Sequence, residues 1–338
     1  MRSRRTVAQE EEETKKNNDG PFPRRETHNN DCSTTAVSCR RSLRSISNAI
    51  VSSFRAFWEQ DLPLCDSDEA PEWTKGNPFI IGGYRAHYTP SMCFRSLFSL
   101  HNETGNVWTH LTGLFVYISL TLYFFVHDDA LGKPMDAVHW VIFIPYIIGS
   151  MICMLFSAAF HLFSGHCCEK TYRRMLLLDY FGITCLAMSS FLPPCYLAFQ
   201  CHPYVRLTYL AAILLIGSVG LVGPFCQFWG DMKYFWLRVS IYCSMGVCGM
   251  FPMVHAHLII PNGTATPHLV GLAMMMFFYA FGTLIYVAQF PEKWFPGRFD
   301  VWLHSHQVWH VLVLCASGVH FVNCAAMYVH LESMPIHC

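Results

Sequence analysis

The sequence predicts an all-α membrane protein, a bundle of seven transmembrane helices with a cytosolic N-terminus and an extracellular or lumenal C-terminus. Three observations predict this fold class. Hydrophobic residues make up 53% of the 338 residues and charged residues only 14%, whereas soluble domains carry about 25% charged residues. Seven apolar segments follow one another along the chain. The basic residues concentrate before the first segment and in alternate connections between the segments.

The composition also excludes several classes of protein. A chain with so few charges lacks the polar surface that a soluble globular enzyme of this size needs. The 23 basic and 23 acidic residues cancel, so the net charge indicates no nucleic acid as partner. Eight of the sixteen cysteines lie inside apolar segments, where we interpret them as small packing residues rather than as a disulfide framework.

Four regions follow from the distribution of polar and apolar residues. Residues 1–48 are rich in charged residues, Ser, Thr and Asn, and we predict a disordered cytosolic tail because such a segment buries too little apolar surface to fold. Residues 49–104 form a cytosolic juxtamembrane region with short amphipathic helices, which lie on the membrane surface or pack against protein. The seven-transmembrane domain occupies residues 105–330, and residues 331–338 form a short outer tail.

Each apolar segment has the length that a membrane-spanning helix requires. An α-helix needs about 20 residues to cross about 30 Å of hydrocarbon. Because lipid offers no partner to backbone polar groups, only helices or closed barrels span a bilayer, and seven helices in one bundle are the simplest arrangement. The predicted spans are 106–126, 140–164, 175–199, 206–228, 235–257, 268–290 and 303–329.

The lysine and arginine residues predict the orientation of the bundle. All but two of the 23 lie before the first span or in the connections that follow spans two, four and six. Only Lys133 and Arg206 lie on the other side. The positive-inside rule therefore places the N-terminus in the cytosol. This orientation, and the lack of DRY and NPxxY motifs, disfavour a conventional G-protein-coupled receptor.

Polar residues inside the apolar segments indicate a functional site, because ionisable groups in hydrocarbon are costly. His161 ends the second span and follows Ser157 by one helical turn. Asp179 is the only carboxylate within the predicted spans. His306 and His310 open the seventh span and are four residues apart, so both lie on one helix face. The orientation places the three histidines and Asp179 one or two turns inside the cytosolic leaflet.

This set of residues predicts a zinc site. Three neutral imidazoles, from His161, His306 and His310, leave the fourth position of Zn²⁺ open for water, and zinc lowers the pKa of that water towards about 7. We assign catalytic roles to Asp179, which would orient the water or transfer a proton, and to Ser157, which would hydrogen-bond a substrate oxygen.

Each assignment has a structural alternative. His304 and His166 lie just outside the set and are the residues that would replace one of its members. The alternative for Asp179 is an ion pair with Arg173 or Arg174 at the membrane interface. The alternative for the zinc site as a whole is a structural link between helices. Other histidines of the spans are interpreted as hydrogen-bonding neighbouring helices: His110, His255, His257 and His320.

Several sequence strings resemble motifs of the progestin and adipoQ receptor family, and most closely those of the adiponectin receptors. The string ETGNVWTH at residues 103–110 resembles the motif that enters the first span of this family. The resemblance extends over residues 72–325. Four further strings resemble family motifs: 157–161, 178–182, 291–300 and 305–310.

The resemblance implies a fold and a site that agree with the residue-based interpretation. It implies seven helices with a cytosolic N-terminus, zinc bound by His161, His306 and His310, and Asp179 associated with the zinc-bound water. It also implies an extracellular ligand, either a protein hormone similar to adiponectin or a steroid, and a role in lipid metabolism. A ceramide-like or fatty-acid-like lipid would lie in the bundle, and the protein would reside in the plasma membrane or an endomembrane such as the Golgi.

Two functions from different classes follow. The first is a receptor, in which an extracellular ligand contacts the outer loops and a shift of the helices is read in the cytosol. The second is a zinc-dependent intramembrane hydrolase of lipid amides, similar to alkaline ceramidases, with Asp179 as general base and then acid. The two functions are compatible, because a ligand could gate hydrolysis. In a third possibility the zinc is purely structural.

Overall fold

The computed structural model describes residues 45–46, 48–53, 61–127, 136–226, 228–259 and 266–332. The chain divides into two units, Met1–Glu59 and Gln60–Cys338. In the first unit residues 48–53 are helical and exposed. Most of the predicted N-terminal tail and of the predicted outer tail lies outside the described residues.

A small polar region precedes the bundle within the second unit. Strand β1, Leu64–Cys65, pairs antiparallel with β2, Tyr84–Arg85, and helix α1 follows at Pro90–Ser96. The buried Arg85 guanidinium donates hydrogen bonds to the backbone carbonyls of His161, at 2.6 Å, and Leu162, at 2.8 Å. These carbonyls belong to the last turn of a membrane helix, where they have no partner inside the helix. Arg85 therefore fixes the end of the helix that carries His161.

Seven helical segments are long and apolar enough to cross a membrane, with mean hydropathies from 1.4 to 2.2. This confirms the predicted bundle of seven membrane-spanning helices, one of which consists of two consecutive helices, α4 and α5. The helices are α2 (Thr104–Val126), α3 (Ala137–Phe163), α4 (Glu169–Ser189), α5 (Leu192–Ala198), α6 (Pro203–Val222), α7 (Phe235–Ile259), α8 (Thr266–Ala288) and α9 (Ser305–Glu332).

The outer surface of these helices is apolar. Phe125, Leu215 and Leu258 are 77%, 74% and 76% exposed, and many other large apolar side chains are exposed along the same helices. A soluble protein rarely exposes contiguous apolar surface of this extent. In a multi-pass membrane protein this surface contacts the lipid chains.

The third span differs from the sequence prediction at its start and in its continuity. It begins at Glu169 instead of residue 175, because α4 starts with a polar turn in which Arg173 pairs with Glu169 at 2.8 Å. The chain breaks between α4, which ends at Ser189, and α5, which begins at Leu192. Pro193 lies in the first turn of α5, a position where the missing amide hydrogen leaves no helical hydrogen bond unmade.

The core of the bundle lies between α2, α3, α4 and α9. Tyr117, Tyr146, Met154 and Val313 are among its buried residues. Helices α3 and α4 are in backbone contact at Gly182, where an added Cβ atom would lie 2.9 Å from the Cα atom of Cys153. This core holds the N-terminal ends of α2, α4 and α9 beside the C-terminal end of α3.

Candidate metal centre

Three imidazoles meet at this end of the bundle. His161 lies near the C-terminal end of α3, and His306 and His310 lie in the first two turns of α9. The Nε2 atom of His306 is 3.2 Å from Nε2 of His161 and 3.2 Å from Nε2 of His310. Among the described residues these three form the one group of ligand atoms, all within 4.8 Å of one another, that could hold a metal ion.

The Nδ1 atoms of His161 and His310 point away from the space between the three imidazoles, and their hydrogen bonds determine which nitrogen of each ring carries the proton. His161 Nδ1 is 2.7 Å from the Glu103 carboxylate, and His310 Nδ1 is 3.2 Å from the backbone carbonyl of Asn106. Both partners only accept hydrogen bonds, so both Nδ1 atoms carry the proton. A neutral imidazole has a single N–H, and the Nε2 lone pairs of His161 and His310 therefore both point to the centre.

Two of the three distances between the imidazole nitrogens match those around a tetrahedral zinc ion, and all three nitrogens lie within 4.8 Å of one another. Zinc binds imidazole nitrogen at 2.0–2.1 Å, so two ligands at a tetrahedral angle lie about 3.3 Å apart, close to the observed 3.2 Å spacings. A single proton on His306 Nε2 can satisfy only one of the two facing lone pairs. A cation at the centre would be bound by the lone pairs of all three rings.

Glu103 is a site residue to which the sequence interpretation gave no role. Burial alone would raise the pKa of the Glu103 carboxyl, but the nearby His161 ring and hydrogen bonds from His161 and Asn106 together hold this pKa well below its usual range. A carboxylate that accepts the distal N–H of a ligating histidine fixes the ring orientation and increases its basicity. The charge of Glu103 would thus strengthen the His161 ligand.

Asp179 lies near the three imidazoles without joining them. It is buried in α4, outside the group of ligand atoms, and within electrostatic reach of His161 and Ser157. The buried Ser157 hydroxyl lies beside Asp179 and is a hydrogen-bond partner of its carboxyl group. Pairing of Asp179 with Arg173 is not observed, because Arg173 binds Glu169 and Asp231, at 2.8 and 3.3 Å.

The two alternative ligand histidines have other partners. His304 Nε2 lies 3.1 Å from the backbone carbonyl of Asn102. His166 Nδ1 accepts a hydrogen bond from the backbone amide of Cys168 at 2.9 Å. Neither ring contributes an atom to the group of three imidazoles. The set predicted from sequence is therefore the set that the fold brings together.

Three other span histidines contact neighbouring helices: His255, His320 and His110. His255 on α7 bonds the Tyr209 hydroxyl of α6 at 2.9 Å, and His320 on α9 donates to the Ser190 carbonyl at 2.8 Å. His110 stacks on His310, with ring centroids 3.8 Å apart. The backbone of His310 on the neighbouring helix α9 is also a hydrogen-bond partner of the His110 ring.

A cavity of about 890 Å³ extends from the three imidazoles through the interior of the bundle. Its wall is mainly apolar and reaches His268 on α8 and Met327 on α9, near the opposite end of the bundle. Asp179, Ser157 and His110 also line it. Pockets for small ligands typically have volumes of about 300–1,000 Å³, so the cavity is large enough for an extended lipid chain.

Comparisons with known proteins agree with this architecture. The model of the haemolysin-III-related family matches residues 98–321. The chain is 34% identical to "Adiponectin receptor protein" of Drosophila melanogaster over 280 residues, which cover 82% of this chain and 62% of the relative. It is 37% identical to "Heptahelical transmembrane protein 1" of Arabidopsis thaliana over 262 residues, 75% of this chain and 77% of the relative.

A mammalian protein shows a similar level of identity. The chain is 33% identical to "Progestin and adipoQ receptor family member 3" of Mus musculus over 253 residues, 73% of this chain and 80% of the relative. The matched part spans less than two thirds of the Drosophila protein. The match to the family model, over residues 98–321, includes His161, His306 and His310.

Proposed function

We propose, since the chain belongs to the haemolysin-III-related family, that it is a membrane receptor of the adiponectin and progestin receptor type with an intramembrane zinc site, signalling in lipid metabolism. The observation that carries this proposal is the convergence of three imidazoles at one end of a large apolar cavity. Zinc there would connect α3 to α9, so a ligand that shifts either helix would change the geometry of the site.

The proposed ligand binds from the outside. The names of the similar proteins favour a protein hormone similar to adiponectin, or a progestin-like steroid. The proposed orientation places the connection between α5 and α6 outside, and Cys201 in this connection is disulfide-bonded. Cys167 and Cys168, in the connection between α3 and α4, are free thiols. Disulfides persist in extracellular or lumenal compartments, which supports the proposed orientation.

A second candidate function is hydrolysis of a lipid amide, such as a ceramide-like lipid. Two observations favour it: the burial of Asp179 beside the imidazoles and the volume of the cavity. Bound zinc would polarise the amide carbonyl and activate water for attack on it. Asp179 would accept a proton from the water and return it to the leaving amine. Ser157 would donate a hydrogen bond to the carbonyl oxygen, and the apolar wall would hold the lipid chains.

Measurements of lipid cleavage separate the two proposed functions from a purely structural role of zinc. Purified zinc-loaded protein is incubated with a ceramide-type amide, and product release is compared with that of Asp179→Asn. If Asp179 transfers the proton, the variant loses about 10²–10⁴-fold in rate while its zinc content is unchanged. Asp231→Asn, at an exposed ion pair with Arg173, is the matched control and retains activity.

Other outcomes of these experiments distinguish a receptor from a structural zinc site. Equal product release by native protein and Asp179→Asn would refute hydrolysis through Asp179 and leave the receptor and structural roles. Binding of a protein hormone or steroid to intact cells that express the chain supports the receptor. If no candidate ligand binds and no amide is cleaved, a structural zinc is the remaining function of the site.

A further inference from the structure

We propose that the loop between α8 and α9, residues 289–304, lies in the head-group layer of the cytosolic leaflet and binds anionic phospholipids there. We call this segment the aromatic loop. The inference goes beyond the proposed function, because it concerns a surface outside the metal centre and needs only a chain that spans a membrane. The proposed orientation enters only in the choice of leaflet.

The aromatic loop exposes large apolar side chains outside the membrane-spanning helices. Trp294 and Leu303 are 70% and 63% exposed. Three further aromatic side chains of the loop are also exposed: Phe290, Phe295 and Trp302. Exposed apolar surface of this kind marks a site of contact with a membrane or another protein. The loop therefore has a partner outside the chain.

Hydrogen bonds hold the backbone of the aromatic loop in place. The Asp300 carboxylate accepts hydrogen bonds from the backbone amides of Ile81, at 3.1 Å, and Gly82, at 2.7 Å. The buried Glu292 carboxylate accepts one from the backbone amide of Ser305 at 2.7 Å. These bonds fix the loop near both of its ends, so its aromatic side chains are presented by an ordered backbone.

The lipid-facing surface of α8 leads directly to the aromatic loop. Phe277, Phe281 and Leu284 are exposed, and their spacing of four and three residues places them on one face of the helix. Helix α8 ends at Ala288, so the loop begins where this face leaves the hydrocarbon. Tryptophan is enriched at that depth, because its amphipathic ring suits the level of the head groups. This continuity favours a membrane over a cytosolic protein as the partner.

Two basic side chains of the aromatic loop indicate which lipids it prefers. Lys293 and Arg298 are exposed, whereas both acidic residues of the loop, Glu292 and Asp300, accept hydrogen bonds from the chain itself. Basic residues next to a membrane are attracted to anionic head groups. The proposed orientation places the loop at the cytosolic leaflet, which contains the anionic lipid phosphatidylserine.

Fluorine NMR measures the depth of the aromatic loop. The full chain is labelled with fluorotryptophan and placed in nanodiscs of phosphatidylcholine and phosphatidylserine, and the variants Trp294→Phe and Trp302→Phe assign the two resonances. We expect both resonances to be broadened by a lipid with a spin label near its head group, and not by a gadolinium chelate in the water. Trp229, which is 2% exposed, is the control and should respond weakly to both.

Other patterns of broadening would overturn the inference. Broadening of Trp294 and Trp302 by the chelate alone would place the loop in water, free for a cytosolic protein. Broadening by neither agent would place it against protein, such as a second copy of this chain. The measurement does not depend on zinc or on a ligand, so either result would leave the proposed function in place.

The preference for anionic lipid is tested separately. Broadening of the Trp294 resonance by spin-labelled phosphatidylserine is compared with broadening by spin-labelled phosphatidylcholine. We expect the double variant Lys293→Gln/Arg298→Gln to lower the preference for phosphatidylserine about fivefold for each charge removed. The control Lys293→Arg/Arg298→Lys retains both charges and should retain the preference. Equal preference in all three proteins would show that the loop does not select anionic lipids.

Discussion

Glu103 links the start of α2 to the end of α3. Its carboxylate accepts a hydrogen bond from His161 Nδ1 at 2.7 Å and another from the side-chain amide of Asn106 at 2.5 Å. Without this acceptor, His161 would be free to rotate or to adopt the other tautomer, with its Nε2 lone pair no longer facing the centre. The affinity of the site for zinc should therefore depend on a residue that does not touch the metal.

We predict that Glu103→Gln weakens zinc binding about 10–100-fold, the range observed for partners of metal-ligating histidines. The amide retains the size of the side chain but loses the charge that polarises His161. Competition with a zinc chelator measures the change in dissociation constant. Glu72→Gln is the control, because Glu72 pairs with Lys75 at an exposed position. Unchanged zinc affinity in Glu103→Gln would show that Glu103 does not support the site.

The three histidines of the metal centre could be predicted from the sequence, whereas their hydrogen-bond partners could not. The spacing of His306 and His310 is local, and the depth of His161 follows from the order of the spans, so all three were identified. Glu103 contacts His161 across 58 positions of the chain, and no helical periodicity records such a contact. His310 bonds the backbone carbonyl of Asn106, which any residue type would offer at that position.

Helices α3 and α4 form the packed pair that holds Asp179 close to His161. Their backbones touch at Gly182, one turn after Asp179. A Cβ atom at Gly182 would lie 2.9 Å from the Cα atom of Cys153 and 3.3 Å from the carbonyl oxygen of Ile152. Backbone atoms cannot move aside as a flexible side chain can, so any larger residue must separate the two helices.

We predict that Gly182→Ala lowers the free energy of unfolding by about 1–3 kcal/mol, the usual cost of overpacking a close contact. Thermal unfolding of the purified protein in detergent measures the loss. Gly318→Ala on α9 is the matched control, because a Cβ atom there meets nothing within 4 Å and alanine favours helix over glycine. Equal stability of the two variants would contradict close backbone packing at Gly182.

Span limits were less predictable than the existence of the spans. Hydrophobic length identifies a membrane helix because the bilayer sets the requirement. The first turn of α4 is polar and held by the pair of Arg173 with Glu169, so hydropathy alone placed its start six residues too late. The break before α5 likewise depends on where Pro193 falls within a helix turn, which a hydropathy pattern does not record.

At the scale of the whole molecule, the bundle is a multi-pass membrane protein whose polar end carries the candidate metal centre. The sequence predicted the seven helices and this clustering from hydropathy, charge and helix order. The orientation rests on the distribution of basic residues, and the limits of the four predicted regions stay predictions. If the site faces the cytosolic leaflet, a lipid would reach it from that leaflet or along the cavity inside the bundle.

We predict that an epitope tag at the N-terminus is hidden in intact cells and becomes accessible only after permeabilisation. A C-terminal tag on the same chain should bind antibody in intact cells if the protein is at the surface. The reason is the excess of Lys and Arg before the first span and in alternate connections. Immunofluorescence with both tags measures the orientation, and the reverse pattern of accessibility would refute it.

The central claim is that His161, His306 and His310 bind one zinc ion. Zinc analysis and X-ray absorption at the zinc edge of the purified protein test it directly. We predict one zinc per chain with three nitrogen ligands at about 2.0–2.1 Å, lost in the double variant His306→Ala/His310→Ala and retained in His257→Ala, at an exposed position of α7. Zinc that persists in the double variant, or that is bound by sulfur, would contradict the claim.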